Sequence, residues 1–242
     1  MSTATEISTT GSDNEVRVTA GDRPLRELNR EIREHVQAGR TVHVDETLSR
    51  HNLGVALTGP GTAIFEGSVG YYCAGLLAGA NVVIRRNTGW SVAESMSSGR
   101  VTIEGNAGMS VGASIRGGLL HVKGNTGPRT GIAMKGGDIV VEGNVGYSCA
   151  FMAHVGRLIV LGDTAAAAGD SLWQGEVWVA GTIGGLGMDT KVVAPNAEEV
   201  ALVEQLLATL GLDDRQRDWK KIISGQELWH FKARDAKSWL MI

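Results

Sequence analysis

The sequence predicts an all-β solenoid, a right-handed parallel β-helix of about seven 19-residue coils with helical caps at both ends. Three observations predict it. First, written in lines of 19 from Val69, the chain aligns without a gap: VGYYCAGLLAGANVVIRRN, TGWSVAESMSSGRVTIEGN, AGMSVGASIRGGLLHVKGN, TGPRTGIAMKGGDIVVEGN, VGYSCAFMAHVGRLIVLGD and TAAAAGDSLWQGEVWVAGT. A degenerate line, Arg50 to Ser68, precedes these, and a truncated one follows from Ile183. Second, glycine recurs at positions 2, 12 and 18 of the line, and the last position holds Asn87, Asn106, Asn125, Asn144 and Asp163. Third, each line carries one short run with alternating apolar residues, the mark of a half-buried strand. A fixed period of this length is the signature of stacked units, none of which can bury its apolar face alone.

The elements follow in chain order. Residues 1–22 open with a polar run lacking an apolar segment, and are read as disordered and without a secretion signal. Residues 23–49 form the N-terminal cap and lead-in strand. In RPLRELNREIREHVQAG, Leu25, Leu28, Ile32 and Val36 make one helical face, Pro24 suits the first turn and Gly39 the stop. TVHVDETL then reads as a strand.

Residues 50–193 are the β-helix. Its inward pairs are Val82/Ile84, Val101/Ile103, Leu120/Val122, Ile139/Val141, Leu158/Val160 and Val177/Val179. Helix is excluded, because an interior glycine costs about 1 kcal/mol relative to alanine and each unit carries three. The recurrent Gly-Asn marks a corner. Glycine permits a left-handed or otherwise tight bend, asparagine tolerates the left-handed region, and stacked amides can hydrogen-bond along the rod. Outside the strand, Arg85, Glu104, Lys123 and Glu142 alternate in sign, as stacked neighbours should. Cys73 and Cys149 share a position but lie four coils apart, about 19 Å at strand spacing, and should be free thiols.

Residues 194–242 form a C-terminal helix and aromatic tail. AEEVALVEQLLATLG presents Val200, Val203, Leu206, Leu207 and Leu210. The tail holds Trp219, Trp229, Phe231 and Trp239. These aromatics either cover the solenoid flank or reach a partner subunit. The outward row containing His121, Ile159 and Trp178 is too apolar for a solvated face, and invites a partner surface or the tail. His121, Ile159, Trp178, Trp219, Trp229, Phe231 and Trp239 are therefore the candidate partner-contact residues.

Catalytic motifs are scarce. Net charge is −3, which points to neither nucleic acid nor an anionic membrane. Two cysteines do not make a disulfide scaffold, no apolar run reaches membrane-spanning length, and a cytoplasmic setting is expected. The six histidines are scattered without metal-ligand spacing. GTIGGLGMD at 181–189 has glycines but opens no helix, GPGT at Gly59 lacks a phosphate-loop lysine, and GDS at Gly169 is no nucleophile elbow. A polysaccharide-cleaving β-helix would need a recurrent acidic cluster, and none recurs on one face. No catalytic, cofactor-binding or metal residue is assigned to this chain.

The 19-residue unit, with its G-x-x-x-G spacings and VEGN and VKGN ends over roughly residues 50–190, resembles the GXGXG-motif β-helix family. That family includes the C-terminal domain of the glutamate synthase large subunit, free-standing subunits of glutamate-synthase-like complexes, and the β-helix subunit of formylmethanofuran dehydrogenase. The tail WKKIISGQELWHF looks most like the free-standing subunit of N-methylglutamate synthases. The resemblance implies a non-catalytic scaffold. Its partners would be a glutamine-amidotransferase-like subunit and an FMN-binding, glutamate-synthase-like subunit carrying an iron–sulfur cluster. The complex would join methylamine and glutamate into N-methylglutamate. Another redox complex, or a free-standing β-helix enzyme or carbohydrate binder, is the alternative.

Overall fold

Residues 14–213 and 216–226 are described by the computed structural model. The apolar alternations become strands β1 (Glu15–Thr19), β2 (Thr41–Asp45), β3 (Thr62–Phe65), β4 (Ala78–Ile84), β5 (Ser98–Ile103), β6 (Arg116–Val122), β7 (Lys135–Val141), β8 (Val155–Val160), β9 (Glu176–Val179), β10 (Thr190–Val193) and β11 (Lys220–Ser224). One sheet holds all of them, in the order β1 to β9, then β11, then β10. From β1 to β9 every pairing is parallel. The register advances by one repeat per coil: Ala63, Val82, Val101, Leu120, Ile139, Leu158 and Val177 stand in file. The fold is thus a β-solenoid of about seven turns.

Within each coil, four positions supply most of the inward side chains. Counting from Val69 as position 1, positions 14 and 16 are the predicted strand pairs, all fully buried. Positions 5 and 9 add Cys73, Val92, Val111, Thr130, Cys149 and Ala168, and Leu77, Met96, Ile115, Met134, Ala153 and Leu172. A second file of parallel bridges runs through Val69, Thr88, Ala107, Thr126, Val145, Thr164 and Ile183 at position 1. The return arc between this file and the next strand takes left-handed φ at positions 4, 6 and 8. Ser91, Ala93 and Ser95 have φ of 55°, 57° and 57°, and the pattern repeats up the rod. Such angles cost a non-glycine residue roughly 1–2 kcal/mol. The stack holds them in place, since each of these N–H groups donates to a carbonyl of an adjacent coil, Ser91 to Met109 and Ala93 to Cys73.

The corners correct one expectation. Neither the corner glycines Gly105, Gly124, Gly143 and Gly162 nor the asparagines beside them have positive φ. Space is what demands glycine. A Cβ on Gly124 would lie 2.6 Å from Asn106 Oδ1 and 2.6 Å from the Gly105 carbonyl. That Oδ1 is engaged: it accepts the backbone N–H of Asn125 at 2.8 Å. The same bond joins Asn106 to Asn87, Asn144 to Asn125, and Asp163 to Asn144. The ladder is therefore chiefly side chain to backbone, with one amide–amide bond, Asn125 Nδ2 to Asn106 Oδ1 at 3.3 Å.

At the N-terminal end, helix α1 (Leu25–Gln37) drops Leu28, Ile32 and Val36 onto the core, as expected. The reading of 1–22 as disordered is corrected for part of its length. Val18 is buried in β1, which pairs with β2, and Arg17 bonds Asp45 at 3.0 Å. At the other end, helix α2 (Ala197–Ala208) starts on a capping box between Asn196 and Glu199. It sits on the flank of the sheet, with Val203 and Leu207 against the outward row. The last coil is closed by β11, antiparallel to β9, with Ile222 buried in the main core. A strand added antiparallel satisfies the exposed row of β9 directly, which a helix cannot do, and β10 then forms the edge beyond it.

Candidate functional site

The sequence leaves the outward strand row open to either a partner or the tail, and the chain's own C-terminal segment takes it. Val140 and Ile159 are fully buried, and Trp178, His121 and Trp219 nearly so. Trp219 meets Trp178 edge-on at 6.0 Å between ring centres. The Trp178 indole N–H donates to Glu176 at 2.9 Å, and that of Trp219 to Glu204 at 2.7 Å. Lys221 bonds Glu199, lies 3.5 Å from Glu176, and stands 5.4 Å from the centre of a Trp178 ring. His121, Ile159, Trp178 and Trp219 are thus removed from the candidate partner contacts, because burial within the chain leaves them no free face. Trp229, Phe231 and Trp239 lie outside the described residues.

His121 sits under this cover, hydrogen-bonded to Glu142 at 2.8 Å. Burial depresses its basicity more than the carboxylate restores it. The sign follows. The unfolded chain protonates His121 near the ordinary value of 6.5, whereas the folded chain resists. This residue therefore costs no stability above that pH, and erodes stability as pH falls from there towards the depressed folded value. The urea midpoint of the wild type should fall between pH 7 and 5, and His121→Gln should flatten that slope. An unchanged slope in the variant would remove His121 as its cause.

A free apolar surface lies on the return arc. At position 3, Tyr71 and Trp90 stack at 4.8 Å and 9° between planes, and His51 stacks on Tyr71 at 4.4 Å. His51 Nδ1 accepts the Tyr71 backbone N–H at 2.8 Å, which fixes the first ring. Tyr147 occupies the same position three coils after Trp90 and is 56% exposed. Leu76 and Met152, at position 8, and Trp173, at position 10, are also half exposed. Sequence reasoning missed this surface, although aromatic residues recurring at one repeat position were a visible signal.

Chemistry elsewhere is sparse. Cys73 and Cys149 are free and buried, and burial pushes the Cys149 thiol up to about 12 and Cys73 higher still. Among the described residues no group of three or more His, Cys, Asp and Glu could hold a metal ion. A cavity of about 280 Å³ lies between the flank and the C-terminal segment, lined by Glu142, Leu161, Ala180, Leu212, Gln216, Arg217 and Asp218. No helix among the described residues is long and apolar enough to cross a membrane.

No family model and no curated protein sequence matches the chain. Among solved structures, it is similar to a chain of the formyltransferase/hydrolase complex of Methylorubrum extorquens, determined in complex with methylofuran. The TM-score is 0.64 at 24% identity, over 71% of this chain and 67% of that one. At this identity the likeness is one of fold.

Proposed function

We propose that the chain is a non-catalytic bridging subunit of a hetero-oligomeric enzyme complex. One observation carries the reading: a stiff rod presents Tyr71, Trp90, Leu76, Tyr147, Met152 and Trp173 to solvent along one arc, while its sheet flank is already covered. Exposed aromatic and aliphatic side chains held on a rigid frame are the composition of partner-binding surfaces. The fold match to a chain of a multi-subunit complex supports the same reading.

The finer proposal rests on the resemblance of the repeat and tail. The partners are a glutamine-amidotransferase-like subunit and an FMN-binding subunit with an iron–sulfur cluster, and the assembled complex forms N-methylglutamate from methylamine and glutamate. This chain would set the distance between the two sites. A second reading, a subunit of a formyl-carrier complex, is favoured by the likeness to the formyltransferase/hydrolase chain.

Co-expression with each partner set tests both. The chain should elute as a stoichiometric complex with the amidotransferase-like and FMN-binding subunits, and that complex should make N-methylglutamate. Tyr71→Ala with Trp90→Ala should weaken assembly at least tenfold while the solenoid stays folded by circular dichroism. Assembly only with formyl-transferring subunits would select the second reading. A chain that stays alone with every partner would overturn the bridging role.

A further inference from the structure

On the outer strand face, charges pair with their neighbours in adjoining coils. Arg85 bonds Glu104 at 3.0 Å, Lys123 lies 3.4 Å from that same carboxylate, and Arg157 bonds Asp138 at 2.7 Å. Position 10 of the repeat breaks this rule. Arg116, Lys135 and His154 occupy it in three successive coils, and Trp173 follows in the fourth. Their backbone N–H groups donate in turn to Met96, Ile115, Met134 and Ala153, each one residue short of position 10 in the preceding coil, so the four residues stand in one file. All four side chains are exposed. Among the described residues none of the three basic side chains has an acid within ion-pair distance.

Like charges on adjacent strands repel, so an unrelieved basic file weakens the stack that carries it. Along the outer strand face the sequence relieves such neighbours with an acid. We infer that the file Arg116–Lys135–His154, ending on Trp173, is a docking strip for an acidic segment of a partner protein. This rests on the bridging role proposed above and names the partner's chemistry. At strand spacing, Arg116 to His154 covers about 10 Å, and Trp173 lies about 5 Å further. An extended segment with carboxylates at alternate residues places its charges about 7 Å apart, within reach of the long Arg and Lys side chains. Its next apolar residue then falls on Trp173, beside Met152 and Val155, which are likewise half exposed. Two fixed charges and an imidazole are too short a track for nucleic acid, whose binding scales with the number of phosphates neutralised. The chain's overall charge of −3 opposes it as well.

The test uses the full chain and a fluorescein-labelled probe peptide with three glutamates at alternate positions followed by two leucines. Anisotropy should show binding that weakens as salt rises. Arg116→Glu with Lys135→Glu should weaken it at least tenfold, and Trp173→Ala several-fold. Arg86→Glu, an exposed charge reversal elsewhere on the rod, should leave it unchanged. Equal binding by the double variant would overturn the strip. So would tighter binding of an oligodeoxythymidine of the same charge that depends on the same two residues. A chain that assembles with its partners while Arg116→Glu/Lys135→Glu changes neither assembly nor peptide binding refutes the strip alone. A chain that binds the peptide and never assembles refutes the bridging role alone.

Discussion

Gly124→Ala is expected to destabilise the solenoid by about 3 kcal/mol or more, at the upper end of the range for overpacking a rigid interior. The new methyl group meets two oxygens of the preceding coil, Asn106 Oδ1 and the Gly105 carbonyl, each at 2.6 Å. Neither can retreat without breaking the ladder, because Oδ1 holds the Asn125 N–H. Adding Asn106→Ala should recover only part of the loss, since the backbone carbonyl remains. Gly211→Ala is the control. Its φ is +71° and nothing lies within 4 Å of an added Cβ, so it bears only the backbone cost of roughly 1–2 kcal/mol. Urea unfolding of the three variants decides the matter. A Gly124→Ala protein within about 1 kcal/mol of wild type would refute the close-approach account of the corners.

Trp178→Ala should cost about 3–5 kcal/mol, the usual loss for truncating a buried tryptophan. The ring is 1% exposed and organises the whole flank. Trp219 packs against it, Glu176 accepts its N–H, and Lys221 stands near its face. Once it is removed, Lys221 is left with Glu176 and Glu199 over a cavity, and α2 loses the surface under Val203 and Leu207. The damage should be local. Hydrogen exchange should accelerate in α2, β9 and β11, whereas β4 to β6 keep wild-type protection, because each coil depends mainly on its nearest neighbours. Uniform acceleration through all strands would show instead that the flank supports the entire rod.

The file of Val82, Val101, Leu120, Ile139, Leu158 and Val177 could be read from the chain because repetition makes each strand its neighbour's template. A residue's partner is then found by adding 19. The cysteines, the alternating charges and the N-terminal helix were legible for the same reason, or by ordinary helical periodicity. Strand β11 was not. Lys220–Ser224 has no counterpart in the repeat, and its role of capping β9 depends on a return from 41 to 45 residues further along the chain, Lys220 standing against Val179 and Ile222 against Val177. Helix α2 carried a clear apolar face, but nothing local says which surface that face meets. The arc was equally hidden, because left-handed backbone at serine, alanine and tyrosine runs against their local preference.

Chain order thus specified the coil, its period and the residues lining its interior, since those follow from side chains repeating at one spacing. Whether Trp178 faces a partner or the chain itself, and which strand closes β9, are set by packing between segments distant in sequence. Such contacts leave no periodic trace, because they are made once.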